Sequence, residues 1–555
     1  MSPETRGLPV GLLLGLLALA LLGEGVFRLL RRARLLRAAD PAEAVGLRIL
    51  CALASVPWLC LGSDLTGIPI TRATLLGSAG LLALAGAGAG RLGKSAFGGT
   101  ERHGRSANPG PRGAKRPAGS TPPPERTIAA AVTRARTLAV SLARAAWRAP
   151  AAALLTLAAA SLVLFSLVQV GVFPPREYDA LVGYDLVGKI LAEEGRIRSS
   201  VFTNLDFNAQ CVYPPFTATN QGFWYLFHPP IQRLWVPLLA AGFALCFGSW
   251  VRRRTASPTA ASLAVFLSLL VPELAFHLTV GQTDLPSKAY TALGLFALAD
   301  RLRGRGRLAT AALWLLAAST ARSENVLFAA ALGAVGAAAL RGRRLRALLV
   351  PLPSAAFFVL WNLFFVNGLI GYDPGEYFLR SIPLDPGRML RVFGYAFAVI
   401  LEPENFGELA WLIGLTVGLW AWGRYGRAAR GTRARPADGG EPTGREWEST
   451  PAGSRGAAAT PRLRGEDLAG TLLLLLAVSF LLYMPFFYLW NERLNPIWTM
   501  HFTFKRGFFR FIPGLLAAFV ALPPVLALLR RCEEASPAGA EPMESWEARR
   551  SRRSR

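Results

Sequence analysis

Cysteine and histidine are scarce in this chain, five and four among 555 residues. Cys51, Cys60 and Cys246 lie in or beside apolar runs, Cys532 sits in a basic tail, and only Cys211 falls in a long polar loop. That distribution excludes a disulfide scaffold and offers no zinc-ligand spacing. Acidic residues are few as well, 35 Asp and Glu against 61 Lys and Arg, for a net charge of +26. Such an excess raises the question of a nucleic-acid partner. The basic residues, however, stand in short clusters between apolar runs and not along one continuous face, which argues against that partner.

What the chain has in abundance is apolar length. Hydrophobic residues make up 52% of it, in recurrent runs of about 20 residues, the length that crosses a hydrocarbon core of roughly 30 Å. The expected class is an all-α polytopic membrane protein. The first run, 8–30, is too long for a signal-peptide core and is followed by Arg31, Arg32 and Arg34, so it is expected to stay as an anchor. Thirteen spans are expected, at 8–30, 45–61, 73–90, 151–173, 234–250, 260–280, 285–300, 308–321, 325–340, 347–366, 405–422, 469–490 and 511–529. With the amino terminus outside, the loops assigned to the cytoplasm carry 43 of the 61 basic residues, as the positive-inside rule requires. The apolar segment 389–401 is short and would break parity; it reads as interfacial or re-entrant.

The organisation follows from composition. Residues 1–90 form an amino-terminal three-helix membrane segment, 91–150 a basic cytoplasmic linker, 151–530 the main membrane domain and 531–555 a basic tail. Gly-, Pro-, Arg- and Ser-rich stretches at 95–126 and 428–466, together with the tail, lack the apolar content to pack and are expected to be disordered. No internal repeat is visible, which weighs against a transporter built from related halves.

The face opposite the basic loops collects the polar residues that solubility does not require. Between Pro174 and Asn220 six acids stand against four bases. The start of this loop, with Leu181, Tyr184, Gly188 and Leu191 at helical spacing and Gly195 at the end, reads as an amphipathic helix lying along the membrane surface. Asp179 sits at its amino end, where the helix dipole favours an ionised carboxylate. Asp185, six residues on, is about 240° around a continuous helix and should face elsewhere. The same face receives Tyr213-Pro214-Pro215-Phe216, Gly281 to Pro286, Arg322-Ser323-Glu324-Asn325 and the run from His501 to Arg506. Each is at a span edge, where ionisable groups are costly unless they line a polar cavity. Glu273, His277 and Asp284 make only a weak metal pattern. Arg322 with Glu324 also fits local neutralisation, and Lys505 and Arg506 also fit snorkelling anchors.

Asp179 early in the first large outer loop, followed by Tyr184, Lys189 and Gly195, resembles the first loop of the membrane glycosyltransferases of the GT-C superfamily. The Tyr213-Pro214-Pro215 run, the Gly281 to Pro286 stretch, Arg322 and Glu324, and Arg506 seven residues before Pro513 resemble later landmarks of a bacterial, mannosyltransferase-like branch, in the same order. The resemblance spans about 170–530. It implies a GT-C-like fold and transfer of one sugar from a polyprenyl-phosphate donor, within the bilayer, to a glycan, lipid or protein acceptor on the non-cytoplasmic face of the cell membrane. In such chemistry a carboxylate takes the acceptor proton and cations meet the departing phosphate. The resemblance assigns Asp179 as catalytic base and Lys505 and Arg506 to the phosphate, with Arg322 and Glu324 at the donor pocket. Tyr178, Tyr184, Asp185, Lys189 and Asp284 complete the candidate substrate-binding set. No cofactor is indicated; some relatives use a divalent metal, so that point stays open. Two other classes share the polytopic architecture: a polysaccharide polymerase or ligase, expected to carry an arginine-rich central outer loop, and a lipid or solute transporter, expected to show broken helices at the midplane.

Overall fold

In the computed structural model the described residues are 8–97, 146–175, 179–198, 213–370, 386–426, 468–490 and 504–534, with isolated positions at 133, 136, 137, 140 and 177. Every regular element among them is helical. The amino-terminal group is α1 (Leu8–Arg32), α2 (Pro41–Thr66) and α3 (Arg72–Phe97). There follow α4 (Pro150–Val172), a π-helical turn (Asp179–Asp185) running into α5 (Leu186–Glu194), α6 (Phe216–Phe227), α7 (Trp235–Thr255), α8 (Pro258–Leu270) and α9 (Pro272–His277). Next come α10 (Asp284–Leu302), α11 (Leu308–Ser319), α12 (Asn325–Ala339), α13 (Arg344–Leu348), and α14 (Leu352–Phe358), which continues as a π-helix (Val359–Ile370). The series closes with α15 (Pro386–Leu401), α16 (Pro403–Phe406), α17 (Leu409–Ala421), α18 (Leu468–Trp490), α19 (Lys505–Phe508), α20 (Ile512–Val520) and α21 (Pro523–Glu534).

A helix lies over each of the thirteen apolar stretches. Among the described residues five helical segments are long and apolar enough to cross a membrane: Val10–Arg32, Pro41–Thr66, Pro150–Val172, Trp235–Thr255 and Arg344–Gly368. Proline interrupts two of the other stretches, because it lacks an amide hydrogen and starts a helix more readily than it continues one. Pro272 divides the 260–280 run into α8 and α9, and Pro523 opens α21 at 70° to α20. The 389–401 segment is an amphipathic helix, burying Val392, Ala396 and Val399 while Leu390 and Phe397 stay exposed. The stretches 98–126 and 428–466 and the tail from 535 lie outside the described residues; 95–97 close α3.

The first three helices are built into the body. Gly46 of α2 meets the backbone of Gly242 and the thiol of Cys246 on α7, at a distance a side chain would fill. From the body, the Tyr290 hydroxyl donates to the Leu50 carbonyl at 2.9 Å and the Asn220 amide to Leu53 at 3.2 Å.

Polar contacts between loops fall into two sets. At one end Arg252 pairs with Asp40 (2.9 Å), Arg253 with Glu43 (2.6 Å), Arg254 with Asp300 (2.5 Å), and Ser257 donates to Glu533 (2.6 Å). At the other, Arg198 pairs with Asp64 (2.8 Å), the Phe216 amide donates to Thr320 (3.0 Å), and Arg233 donates to the Thr279 carbonyl (2.8 Å). The first set joins loops expected in the cytoplasm and the second joins loops expected outside.

Candidate functional site

The second end holds a buried cluster of three arginines and two carboxylates drawn from three separate stretches. Asp284 opens α10, where a carboxylate in the first turn suits the helix dipole. Arg322 and Glu324 stand in the tight turn between α11 and α12. Arg506 lies in α19 and Arg510 in the turn that leads into α20.

Asp284 is the centre. One of its oxygens accepts from Arg322 at 2.5 Å, and the other from Arg506 Nη2 at 2.6 Å and Nε at 3.0 Å. Arg322 Nε is 2.7 Å from Glu324, and Arg510 binds the same Glu324 oxygen at 2.6 Å. Arg510 also donates to Ser287 at 3.0 Å and lies over the Tyr483 ring at 5.0 Å. Asn325 holds Ser287 in turn, at 3.0 Å, and donates to the Ala318 carbonyl at 2.7 Å. Burial alone would push both carboxyls up, but Arg506 and Arg322 outweigh it at Asp284, and Arg322 and Arg510 at Glu324, so both stay ionised below the usual carboxylate range. Among the described residues, three guanidiniums of the cluster stand against two carboxylates. Arg506 is the most accessible of the three, its side chain 22% exposed against 6% for Arg322 and 1% for Arg510.

The first outer loop reaches this cluster. Tyr184 is buried and lies within electrostatic reach of Arg506 and Arg322, its ring 5.9 Å from that of Tyr213. Asp185 accepts from Tyr225 at 2.7 Å and from Gln221 at 3.4 Å. Gln221 also packs on Gly281, next to the Gln282 that accepts from Arg506 at 3.1 Å. Asp185 thus lies near the arginine cluster, with Gln221 packed between it and the 281–282 backbone. Desolvation raises its carboxyl above the ordinary range, against the opposing hydrogen bonds from Tyr225 and Gln232.

The other sequence-derived positions are placed as follows. Lys189 lies on the exposed side of α5, 3.9 Å from Glu193 one turn on, and belongs to a solvated surface pair. Leu181 is 44% exposed, and Ala180 takes its place on the buried line with Tyr184, Val187 and Leu191. The π-helical turn, wider than an α-turn, changes the register there. The helix ends at Gly195 as expected, φ 70°, but its buried face rests on α6 through Gly188 and Gly222. Asp179 opens the π-helical turn, and Lys505 opens α19. Tyr178 and residues 501–503 lie outside the described residues. His277 approaches Asp284 to 4.0 Å beside the Phe509 ring; among the described residues no three His, Cys, Asp or Glu side chains group as metal ligands. Arg510, which sequence reasoning missed, stands four residues after Arg506, in the turn between α19 and α20.

No protein-family profile, no curated protein and no solved structure matches this chain.

Proposed function

We propose that the chain is an integral membrane glycosyltransferase of GT-C type, thirteen spans in all, which moves a single sugar from a polyprenyl-phosphate donor to an acceptor on the non-cytoplasmic side of the cell membrane. The observation that carries the reading is the Asp284–Arg322–Glu324–Arg506–Arg510 cluster. It gathers, at the end away from the basic loops, residues from three of the stretches on which the family resemblance rests: the one from Gly281 to Pro286, Arg322 with Glu324, and Arg506. Its guanidiniums, Arg506 the most accessible among them, suit a leaving phosphate, on whose oxygens charge develops in the transition state. Arg322, Glu324 and Arg510 act as positioning residues that hold Asp284, and through it Arg506, in place.

Asp179 takes the acceptor proton in this reading. Asp185 is the second candidate for that role, on a specific observation: it is partly buried, its carboxyl is raised, and it lies near the arginine cluster, which are the properties of a tuned base.

The deciding experiment is sugar release from a polyprenyl-phosphate donor by purified variants. Asp179→Asn is expected to cut turnover by about 10² or more while the protein still inserts and folds. A near-normal Asp179→Asn beside a dead Asp185→Asn would move the base to Asp185. Normal turnover in both would end the transferase reading.

A further inference from the structure

A cavity of about 610 Å³ opens at the other end of the molecule, among the loops assigned to the cytoplasm. Its floor is apolar, with Trp250, Phe296 and Trp314. Its rim carries Arg31, Arg34, Arg37 and Arg307. Two acids also line it, but each has its own partner: Glu43 binds Arg253 at 2.6 and 2.9 Å, and Asp300 binds Arg254 at 2.5 Å. Among the described residues no side-chain hydrogen bond or ion pair engages the four rim arginines. The cavity thus presents four uncompensated guanidiniums above an aromatic floor.

The rim is held in shape. Arg34 closes α1 in a left-handed backbone, φ 58°, with the Leu35 and Leu36 amides donating to the Leu30 carbonyl at 2.8 and 3.3 Å. The turn is pinned further by the buried Leu36 side chain and by the Thr310 hydroxyl, which donates to the Leu35 carbonyl. A topology signal needs only a number of positive charges on one side of the membrane; it needs neither a cavity nor a fixed turn.

We infer that this cavity binds an anionic phospholipid of the cytoplasmic leaflet, with the phosphate between the rim arginines and the start of an acyl chain on the aromatic floor. Phosphate oxygens match guanidinium donors in charge and geometry, and basic pockets between helices at the cytoplasmic edge suit anionic headgroups. The apolar floor favours a lipid phosphate over a soluble one. This site lies at the opposite end from the proposed transferase centre and does not depend on that reading.

The test uses the full-length protein in a neutral detergent and measures binding of dioctanoyl phosphatidylglycerol by native mass spectrometry, with dioctanoyl phosphatidylcholine and inorganic phosphate as comparators. Phosphatidylglycerol should bind at least about tenfold tighter than phosphatidylcholine, and the triple variant Arg34→Gln, Arg37→Gln, Arg307→Gln should lose that preference. Arg346→Gln, an exposed arginine outside the cavity, should keep it. All three rim positions are exposed, so the triple variant is expected to fold, which unchanged thermal unfolding verifies; were it to unfold, single substitutions at Arg37 and Arg307 give the same comparison. Equal binding of the two lipids, or a preference that survives the rim substitutions, overturns the inference. Displacement of the lipid by equimolar inorganic phosphate assigns a soluble phosphate instead and also overturns it.

Discussion

Charge counting in the buried cluster separates two substitutions that look equivalent on paper. Asp284→Asn leaves three guanidiniums against one carboxylate, with Arg322 and Arg506 facing a neutral amide where each had a carboxylate oxygen at 2.5–2.6 Å. Breaking a buried ion pair by removing one partner costs about 3–5 kcal/mol, and Asp284 serves two partners from a fully buried position. Arg506→Gln does the reverse. It leaves two guanidiniums against two carboxylates, with Asp284 still bound by Arg322, and it removes the group with the greatest access to solvent. Its stability cost should be smaller than that of Asp284→Asn, because Asp284 keeps Arg322 and the glutamine amide can still donate to it, while turnover should fall by about 10²–10³, as when one preorganised donor to a developing anion is lost. Both variants can be purified in detergent, unfolded by titration with sodium dodecyl sulfate, and assayed for sugar release. Equal destabilisation by the two substitutions would refute the charge-count argument. Normal turnover in a folded Arg506→Gln protein would refute the phosphate role.

The depressed carboxyls of Asp284 and Glu324 set a direction for pH. Their folded-state values lie below those of the unfolded chain, so the stability they contribute is complete above the ordinary carboxylate range of about 4 and is lost as pH falls below it; unfolding midpoints should drop beneath about pH 4, and a midpoint that stays level there would contradict this. Gly188→Ala should destabilise the loop helix by about 1–3 kcal/mol through overpacking, because the added carbon would sit 2.8 Å from the Gln221 side chain and 3.0 Å from the Ala218 carbonyl; an unfolding midpoint equal to that of the parent protein would show that α5 and α6 can separate freely. A reporter fused near residue 445 should behave as cytoplasmic and one near residue 205 as exported, and finding both on one side would break the thirteen-span topology.

Apolar length and proline placement made the helices legible, because a run of about 20 apolar residues has few alternatives to a helix in a bilayer. The order of the polar landmarks could also be read, but not their convergence. Asp284 and Arg322 are 38 residues apart, Asp284 and Arg506 are 222 apart, and no local pattern encodes such a pairing. Arg510 had a usable signal in its four-residue offset from Arg506. Lys189 carried a contrary one, since Glu193 four residues later is the spacing of a surface ion pair. The π-helical turn at 179–185 had none: Leu181 and Tyr184 fit an ordinary α-helical stripe, and tertiary packing against α6 shifted the register by one residue.

The interlocking of α2 with the body has a consequence for how the protein is made. Asp64 finds Arg198 only 134 residues later in the chain, Glu43 finds Arg253 after 210, and the Leu50 carbonyl meets Tyr290 after 240. The Trp58 ring meets that of Phe357, 299 residues on; at a ribosomal speed of about 5–20 residues per second, α2 spends roughly 15–60 s in the bilayer before that partner exists. During that interval Asp64 and Glu43 must stay in water or against the insertion machinery, and the Gly46 groove faces lipid. The helices that enter first therefore wait for much of the later chain to complete their contacts, and detaching residues 1–90 would leave the later helices with the same unmet groups from the opposite side.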